Sequence, residues 1–226
     1  MKSQTREPQY QPCFDHVEKF GRVDLGVMHS HSWDIDPKHL LFSLSRYKFV
    51  AKMLAGRKNV LEVGCADAFA SRLVRQTVQR LTVSDFDPVW IAEAERRNNT
   101  SWGYTAKVHD MLEAPLADGF DGIYALDVLE HIASEDEARF LRNICASLAN
   151  DGVLVLGTPS LQSQVFASEA SRAGHINCKD GESLKASLQQ FFGAVFVFSM
   201  NDEMVHTGFF PMAHYLFALC CQRKMS

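Results

Sequence analysis

The sequence has no long apolar run, no run of basic residues and no CxxC or other zinc-type cysteine spacing. Its longest apolar stretches, "FFGAVFVFSM" and "HYLFALCC", are too short to span a bilayer, and the opening "MKSQTREPQYQPCFDH" lacks the apolar core of a signal peptide. The formal net charge of −4 argues against charge-driven binding of nucleic acid or of a membrane surface. Because the six cysteines are scattered, we expect reduced thiols and a cytoplasmic location, with neither export nor membrane insertion.

What the sequence does have is an alternation of short apolar strands with helices, in a chain of 226 residues that is 46% hydrophobic. Such alternation is typical of an α/β protein whose parallel sheet is covered on both faces. The last two strands have no helix between them, so we expect them to pair antiparallel. The prediction is a doubly wound, mostly parallel, seven-stranded sheet with its last strand antiparallel. Residues 1–36 are predicted to be a polar arm or lid, and residues 37–226 the folded domain. The seven predicted strands are "NVLEVG", "RLTVSD", "YTAKVHD", "FDGIYAL", "GVLVLGT", "AVFVFSM" and "HYLFALC".

The first strand runs into a turn that keeps only one glycine of a nucleotide-binding loop. In "NVLEVGCADAFASRLV" Gly64 is present, but Ala66 and Ala68 stand at the later positions. In a dinucleotide site those glycines let the backbone approach a pyrophosphate, so methyl groups there disfavour NAD and FAD. Asp85 ends the second strand 21 residues after Gly64, where an acidic residue accepts hydrogen bonds from ribose hydroxyls. A ribose without a pyrophosphate suggests S-adenosylmethionine.

These features, in this order, resemble the class I S-adenosylmethionine-dependent methyltransferases over roughly Tyr47 to Cys221. "VLEVGCADAFA" is similar to the family's first motif, and "VSDFDP", "VHDMLEAPLADGFDGI" and "FDGIYALDVLEHI" are similar to later ones. The resemblance implies the Rossmann-like methyltransferase fold. It also implies these cofactor contacts: Glu62 organising the turn; Gly64 and Cys65, with Ala66 in the same turn, facing the methionine part; Asp85 on the ribose; Phe86 beside the adenine; Asp110 and Met111 at the adenine edge; Leu126 near the sulfonium; and Arg46 on the methionine carboxylate.

Local structure offers a second explanation for several of these residues. Asp85 and Asp110 can each form a turn, although Asp87, directly before Pro88, is better placed to cap the following helix. Gly64 fits any tight turn between a strand and a helix. A solvent-facing helix position explains Arg46 as well as a cofactor contact does. The succession of these signals at successive strand ends favours the cofactor assignment.

The chemistry is predicted to lie in "DVLEHI", with His131 and Asp127 as the catalytic residues. An imidazole can take a proton from an attacking hydroxyl at neutral pH, and an activated methyl donor needs little besides positioning and this deprotonation. The spacing of Asp127 and Glu130 also has the form of a capping box. A second capping box, Ser134 with Glu137, is expected to start the next helix, which leaves "DVLEHI" as a separate turn. A buried turn histidine without a catalytic role is the alternative for His131.

A metal-dependent variant uses the same residues. Asp127, Glu130 and His131 share one face of a helical turn, and His175 in "AGHIN" can add a fourth ligand. The set resembles the Glu-x-x-Glu-His magnesium site of ubiquinone-biosynthesis O-methyltransferases and of small-RNA 2′-O-methyltransferases, with Asp127 in place of the first Glu. Two histidines are atypical of magnesium, so Mg²⁺ is not the favoured interpretation. Methylation that survives EDTA unchanged would exclude it.

The sequence therefore predicts a methyltransferase that acts on a hydroxyl of a small molecule, either a sugar or a quinone-like precursor. Oxygen is preferred because "LDVLEH" does not resemble the Asn/Asp-Pro-Pro-Tyr-type motif of many nitrogen methyltransferases. The alternatives are a noncatalytic partner subunit with the same fold and, less favoured, an NAD-dependent oxidoreductase. The segment with His29, His31 and Trp33 can form a lid or substrate wall, although a flexible polar arm is the favoured interpretation. The apolar loop with Phe209, Phe210 and Met212 can build a substrate pocket, mediate dimerisation or complete the core. A homodimer is left open.

Overall fold

The computed structural model of the protein describes residues 4–98, 102–117 and 119–224. The first three residues of the predicted arm and the predicted helix end at Asn99 lie outside these ranges. Within them, no helix has the length and apolar character needed to cross a membrane. The helices are α1 (Gln11–Phe20), α2 (Gly26–Ile35), α3 (Pro37–Met53), α4 (Ser71–Arg75), α5 (Pro88–Arg97), α6 (Glu137–Ser147), α7 (Glu169–Gly174) and α8 (Gly181–Gln189). The strands are β1 (Val60–Val63), β2 (Leu81–Asp85), β3 (Thr105–Val108), β4 (Phe120–Leu126), β5 (Leu148–Pro159), β6 (Phe192–Asn201), β7 (Met204–His206) and β8 (Tyr215–Arg223).

The strands form one sheet in the order β3-β2-β1-β4-β5-β8-β6-β7. The first five in this order are parallel, and β8 is antiparallel to both β5 and β6. The predicted doubly wound, mostly parallel sheet with an antiparallel last strand is therefore confirmed. The order reverses direction between β1 and β4, so the loops at the carboxyl ends of these strands flank the crevice where ligands of such sheets bind.

Two apolar clusters cover the two faces of the sheet. On one face, α3, α4 and α5 contribute buried residues such as Val50, Val74 and Ile91. On the other face, α6 and α8 contribute residues such as Ile144 and Leu184. Because helices cover both faces, β1 and β2 are buried throughout and β4 at every residue except Asp121, which explains why these strands are mainly apolar in sequence.

Local signals in the sequence set several helix starts. Asp36 caps α3 by accepting from the backbone N–H of Lys38 at 3.2 Å, and Asp87 caps α5 through Val89 N–H at 2.9 Å. Pro88 occupies the first turn of α5, as expected, because it has no N–H to satisfy there.

Three local expectations differ from the structure. The capping box at Ser134 is wrong: α6 begins after Asp136, and the Ser134 hydroxyl instead contacts Asn177 Oδ1 at 3.2 Å. The sheet has an eighth strand, the three-residue β7, whose short and partly exposed sequence carries no strong strand signal. The predicted polar arm is largely helical, and His29 of α2 is buried. The polar composition of the arm did not indicate that part of it packs against the domain.

Candidate functional site

The predicted site residues lie at the carboxyl edge of the sheet, where β1, β2, β3 and β4 end. Gly64 directly follows β1 and has a φ of +75°. A Cβ atom on Gly64 would lie 2.4 Å from Cγ2 of Val128, which is in the loop after β4. A side chain at position 64 is therefore excluded both by the left-handed backbone and by this close approach. The loops after β1 and β4 are in direct contact.

Two alanines later in the same turn adopt the left-handed backbone conformation that glycine usually occupies. Ala66 and Ala68 have φ values of +45° and +51°, a region that L-residues occupy at a cost of about 1 kcal/mol or more each. Ala68 is 3% exposed and packs in the apolar cluster on the α3 face. Packing of the alanine methyl groups offsets part of the backbone strain, which explains how the turn keeps its shape.

Asp85 joins the ends of β1 and β2. Its Oδ2 accepts from the backbone N–H of Ala66 at 3.0 Å, and its Oδ1 accepts from Asp87 N–H at 3.1 Å. Burial raises the pKa of this carboxyl group. Each oxygen has a second lone pair, so the carboxylate can still accept hydrogen bonds from a diol. The neighbouring Phe86 is 70% exposed, a flat apolar surface beside a buried acceptor. These two residues fit a ribose carrying an aromatic base.

The loop after β3 completes this edge. The backbone N–H of His109 donates to the Asp85 carbonyl at 2.9 Å, which ties the ends of β2 and β3 together. Asp110 accepts from Leu112 N–H at 2.7 Å, so it forms a local turn, as its alternative explanation anticipated. Met111 is buried, and its carbonyl accepts from the Asn143 side chain at 2.7 Å. Asn143 on α6 therefore fixes the position of the Met111 carbonyl.

Glu62 and Cys65 lie beneath the turn rather than at its surface. The Glu62 carboxyl group is buried and accepts from the hydroxyl groups of Tyr47 and Tyr124, both at 2.7 Å. Burial raises the pKa of Glu62 to about 7, against the hydrogen bonds that lower it. Burial also raises the pKa of the Cys65 thiol, which argues against a reactive thiolate. Leu126 is 5% exposed at the end of β4.

Arg46 and Asp127, predicted for different roles, contact each other. Arg46 Nη1 lies 2.9 Å from both Asp127 carboxylate oxygens, and the guanidinium lies 4.0 Å from the ring centre of Tyr215. Asp127 has a φ of +56°, which turns the chain sharply at the end of β4. The sequence predicted Arg46 on the cofactor carboxylate. The structure makes Asp127 its partner, a pairing between residues 81 positions apart that the sequence did not reveal.

His131 and His175 lie side by side, with ring centres 5.2 Å apart. Nδ1 of His131 is 2.9 Å from the Gly174 carbonyl, and Nδ1 of His175 is 2.9 Å from Oε1 of Gln164. Because a carbonyl oxygen only accepts, both Nδ1 atoms carry a proton, and each Nε2 has a lone pair free when the ring is neutral. The backbone carbonyl of Glu130 accepts from the N–H groups of Ile176 and Asn177, which fixes the two histidine segments together.

Glu130 completes this group. One ligand atom from each of Glu130, His131 and His175 lies within 4.8 Å of the others. Glu130 Oε2 accepts from the Thr158 hydroxyl at 3.1 Å, whereas Oε1 is buried and has no hydrogen-bond partner among the described residues. Burial, and then the charge of Asp127, raise the pKa of Glu130. A buried carboxylate oxygen without a partner is costly unless it is protonated or binds a cation.

The sequence did not identify Asp67, which lies in the turn between Ala66 and Ala68. Its buried carboxylate accepts from the N–H groups of Met28 and His29 in the first turn of α2, at 2.9 and 3.2 Å. Nδ1 of His29 lies 2.9 Å from the other carboxylate oxygen. Arg97 contacts the Asp67 carbonyl and lies 3.7 Å from its carboxylate. Asp67 therefore attaches α2 to the turn after β1.

Comparison with known proteins agrees with this geometry. A family model described as a methyltransferase domain matches residues 39–191, more than half of the chain. The probable S-adenosylmethionine-dependent methyltransferase Rv3030 of Mycobacterium tuberculosis is 28% identical over 131 residues, 56% of this chain and 45% of that protein. The chain thus spans about half the length of the curated relatives it matches.

Solved structures share the fold. The N-methyltransferase NodS of Bradyrhizobium japonicum, bound to S-adenosylhomocysteine, superposes with a TM-score of 0.62 at 22% identity, covering 86% of this chain and 91% of NodS. The small RNA methyltransferase HEN1 superposes with a TM-score of 0.67 at 14% identity, covering 82% of this chain and 26% of HEN1. At these identities the likeness shows a common fold.

Proposed function

Because the chain belongs to the family of S-adenosylmethionine-dependent methyltransferase domains, we propose that it methylates a hydroxyl oxygen of a small molecule. The single observation that supports an oxygen acceptor is the position of His131. This histidine follows β4 at the carboxyl edge of the sheet, and its Nδ1–H donates to the Gly174 carbonyl. Its Nε2 is therefore available to accept a proton.

The cofactor, when bound, supplies a methyl group on a positively charged sulfur that is already activated for displacement. The residues of the chain then have to hold the donor and prepare the acceptor. We assign Asp85 to the ribose hydroxyls and Phe86 to the adenine face, with Asp110 and Met111 at the adenine edge. Gly64 shapes the cofactor turn, because its lack of a side chain lets Val128 of the loop after β4 pack against it.

With the cofactor bound, the acceptor hydroxyl would give its proton to Nε2 of His131 as its oxygen bonds to the methyl carbon and the bond between that carbon and the sulfur breaks, which would leave neutral S-adenosylhomocysteine. The carbonyl of Gly174 orients the imidazole and fixes its tautomer through the bond to Nδ1–H, and its dipole stabilises the resulting imidazolium more weakly than the carboxylate of a catalytic triad does. The Arg46–Asp127 pair fixes the sharp turn that precedes this histidine. We therefore assign Asp127 a positioning role and His131 the proton transfer.

The first experiment is a calorimetric titration of the protein with S-adenosylhomocysteine, with NAD as the comparison ligand. Micromolar binding of the first and none of the second is expected. Radiolabelled methyl transfer to an acceptor panel follows, and His131→Ala should lose at least about 100-fold in kcat while binding S-adenosylhomocysteine normally. His16→Ala, a change at an exposed histidine of α1, is the matched control. Failure to bind S-adenosylhomocysteine would favour the noncatalytic partner subunit, and transfer only to amines would refute the oxygen acceptor.

A metal-assisted version of the same reaction is the second candidate. It is favoured by the unpartnered Oε1 of Glu130 close to His131 and His175. The two Nδ1–H bonds orient the imidazoles as they do in many metal sites, leaving Nε2 as the ligand atom. Two imidazoles and a carboxylate suit Mn²⁺, Fe²⁺ or Zn²⁺ better than Mg²⁺. The metal would bind the acceptor oxygen and lower its pKa.

The two versions are exclusive, because Nε2 of His131 can bind either a proton or a metal ion. If a metal is needed, EDTA stops methyl transfer, and Mn²⁺ or Zn²⁺ restores it. His175→Ala then loses both metal binding and turnover. If His131 is a base, EDTA has no effect, and His175→Ala keeps a substantial part of the activity.

We further propose that α2 is a lid over the cofactor turn, consistent with residues 1–36 as a segment separate from the catalytic domain. The hydrogen bonds that the N–H groups of Met28 and His29 donate to the Asp67 carboxylate support this role. A cytoplasmic location stays a prediction, supported by the six free cysteines. A homodimer is tested by light scattering.

A further inference from the structure

A cavity of about 490 Å³ is lined in part by Gln162, which belongs to the turn after β5 that also contacts His175. It is open to solvent on one side and is lined by the turn after β5, by the start of α8 and by the loop that leads into β8. The strand register pairs Pro159 at the end of β5 with Tyr215 at the start of β8, so these segments meet at the carboxyl edge. The cavity therefore opens where an acceptor molecule would have to approach.

One short helical turn separates this cavity from the proposed catalytic residues. The turn Gln162–Phe166 follows β5, and its Gln164 bonds to His175. Gln162, in the same turn, lines the cavity. A molecule bound in the cavity would lie against the same turn of the chain that contacts His175.

The apolar part of the lining is aromatic. Phe209 is 71% exposed, and Phe210 packs against the first residue of α8. A Cβ atom on Gly181 would lie 2.5 Å from Cδ2 of Phe210, so the glycine is what lets this ring form the wall. Flat aromatic surfaces bind the apolar face of a ring without needing a charged group.

The polar part of the lining accepts hydrogen bonds and carries negative charge. Asp180 and Glu182 contribute carboxylates, and the described lining residues include no lysine, arginine or histidine. Hydrogen bonds from Ser183 lower the pKa of Asp180, so it is charged at neutral pH. Gln162 adds a buried Oε1 that has no partner within the part of the chain that the structure describes. A hydroxyl group both donates and accepts, so it satisfies this amide in either orientation.

We propose that this cavity binds the distal part of the acceptor, and that the acceptor is a neutral, hydroxyl-rich ring of the sugar type. Aromatic walls with carboxylate and amide oxygens match a ring that has an apolar face and hydroxyl donors at its rim. A carboxylated or phosphorylated acceptor would meet the like charges of Asp180 and Glu182, and the neighbouring Lys179 is already paired with Glu137 at 2.8 Å. A quinone-like precursor with one or two hydroxyl groups has fewer donors at its rim than a sugar ring, so it leaves more of these oxygens unsatisfied. The inference rests on the proposed function. Of the two acceptor classes that the sequence left open, a sugar and a quinone-like precursor, it favours the sugar.

The test measures binding directly by saturation-transfer NMR on the full chain saturated with S-adenosylhomocysteine. The probes are a set of neutral methyl hexosides, their uronic-acid counterparts and catechol. Neutral hexosides are expected to bind best. Phe209→Ala should weaken their binding about tenfold, whereas Phe196→Ala, at an exposed phenylalanine of β6, should not. Glu182→Gln should improve binding of the uronic acids relative to the hexosides, and the control Glu95→Gln on α5 should not.

The possible results separate this inference from the proposed function. No binding of any neutral hexoside, preference for catechol or for uronic acids, or hexoside binding that survives Phe209→Ala would each overturn it. Affinity for S-adenosylhomocysteine is measured in the same variants and is expected to stay constant. If the wild-type protein fails to bind S-adenosylhomocysteine, the proposed function fails first.

Discussion

Glu62 makes the stability of the protein depend on pH in a direction opposite to that of a salt-bridged carboxylate. It is buried between Tyr47 and Tyr124, which donate to its two oxygens at 2.7 Å. Burial raises its pKa from the ordinary 4.5 to about 7. Between these values the folded state holds a proton that the unfolded state has released. The contribution of Glu62 to the free energy of unfolding is therefore fully present below pH 4.5 and is lost as the pH rises toward 7.

The size of the effect follows from the two pKa values. In this window the wild-type free energy of unfolding should fall by about 1.4 kcal/mol per pH unit because of Glu62 alone. Over roughly 2.5 pH units the loss amounts to about 3 kcal/mol, and it levels off above pH 7. Glu62→Gln has no such proton. The free energy of unfolding of this variant minus that of the wild type should therefore rise by about this amount between pH 4.5 and 7.5. A pH-independent loss of stability caused by the amide would shift this difference without changing its slope.

Urea denaturation of both proteins at half-unit pH steps measures this difference. Subtracting the two curves removes the contributions of all other titrating groups. Glu95→Gln, at an exposed position of α5, is the control, and its difference from the wild type should be flat. A flat difference for Glu62→Gln would mean that Glu62 is already ionised in the folded protein, and it would refute the argument from burial.

Three further variants test other parts of the site. Asp85→Ala should weaken S-adenosylhomocysteine binding by about tenfold or more in calorimetry. The control Asp87→Ala removes the cap of α5, so it should cost about 1 kcal/mol of stability and leave the affinity unchanged. Equal affinities of the two variants would refute the ribose contact. Asp67→Ala should release α2 and speed tryptic cleavage between α1 and α2, and an unchanged rate would show that α2 is held elsewhere. Gly64→Ala should destabilise the protein by at least about 1 kcal/mol more than Gly119→Ala. Both glycines have positive φ, but only at Gly64 would the added methyl group meet a close neighbour. Equal losses of stability would refute the steric argument.

The order of elements and the tight turn after β1 could be predicted because their signals are local. Apolar runs, Pro88 after Asp87 and the 21-residue interval from Gly64 to Asp85 are readable in a single sequence. The eighth strand and the start of α6 were missed, because β7 is short and Ser134 is used for a long-range contact with Asn177. Local capping rules do not account for such tertiary competition.

The sequence by itself determined the doubly wound sheet and the succession of polar residues at its carboxyl edge, because strand periodicity and turn chemistry depend on near neighbours. Only the tertiary structure decided which of these residues meet. His29 and Asp67, Arg46 and Asp127, and His131 and His175 are far apart in the chain and are joined by folding. The partner of a charged side chain depends on which loops reach the same edge, and loop positions are fixed by packing of the whole sheet rather than by local sequence.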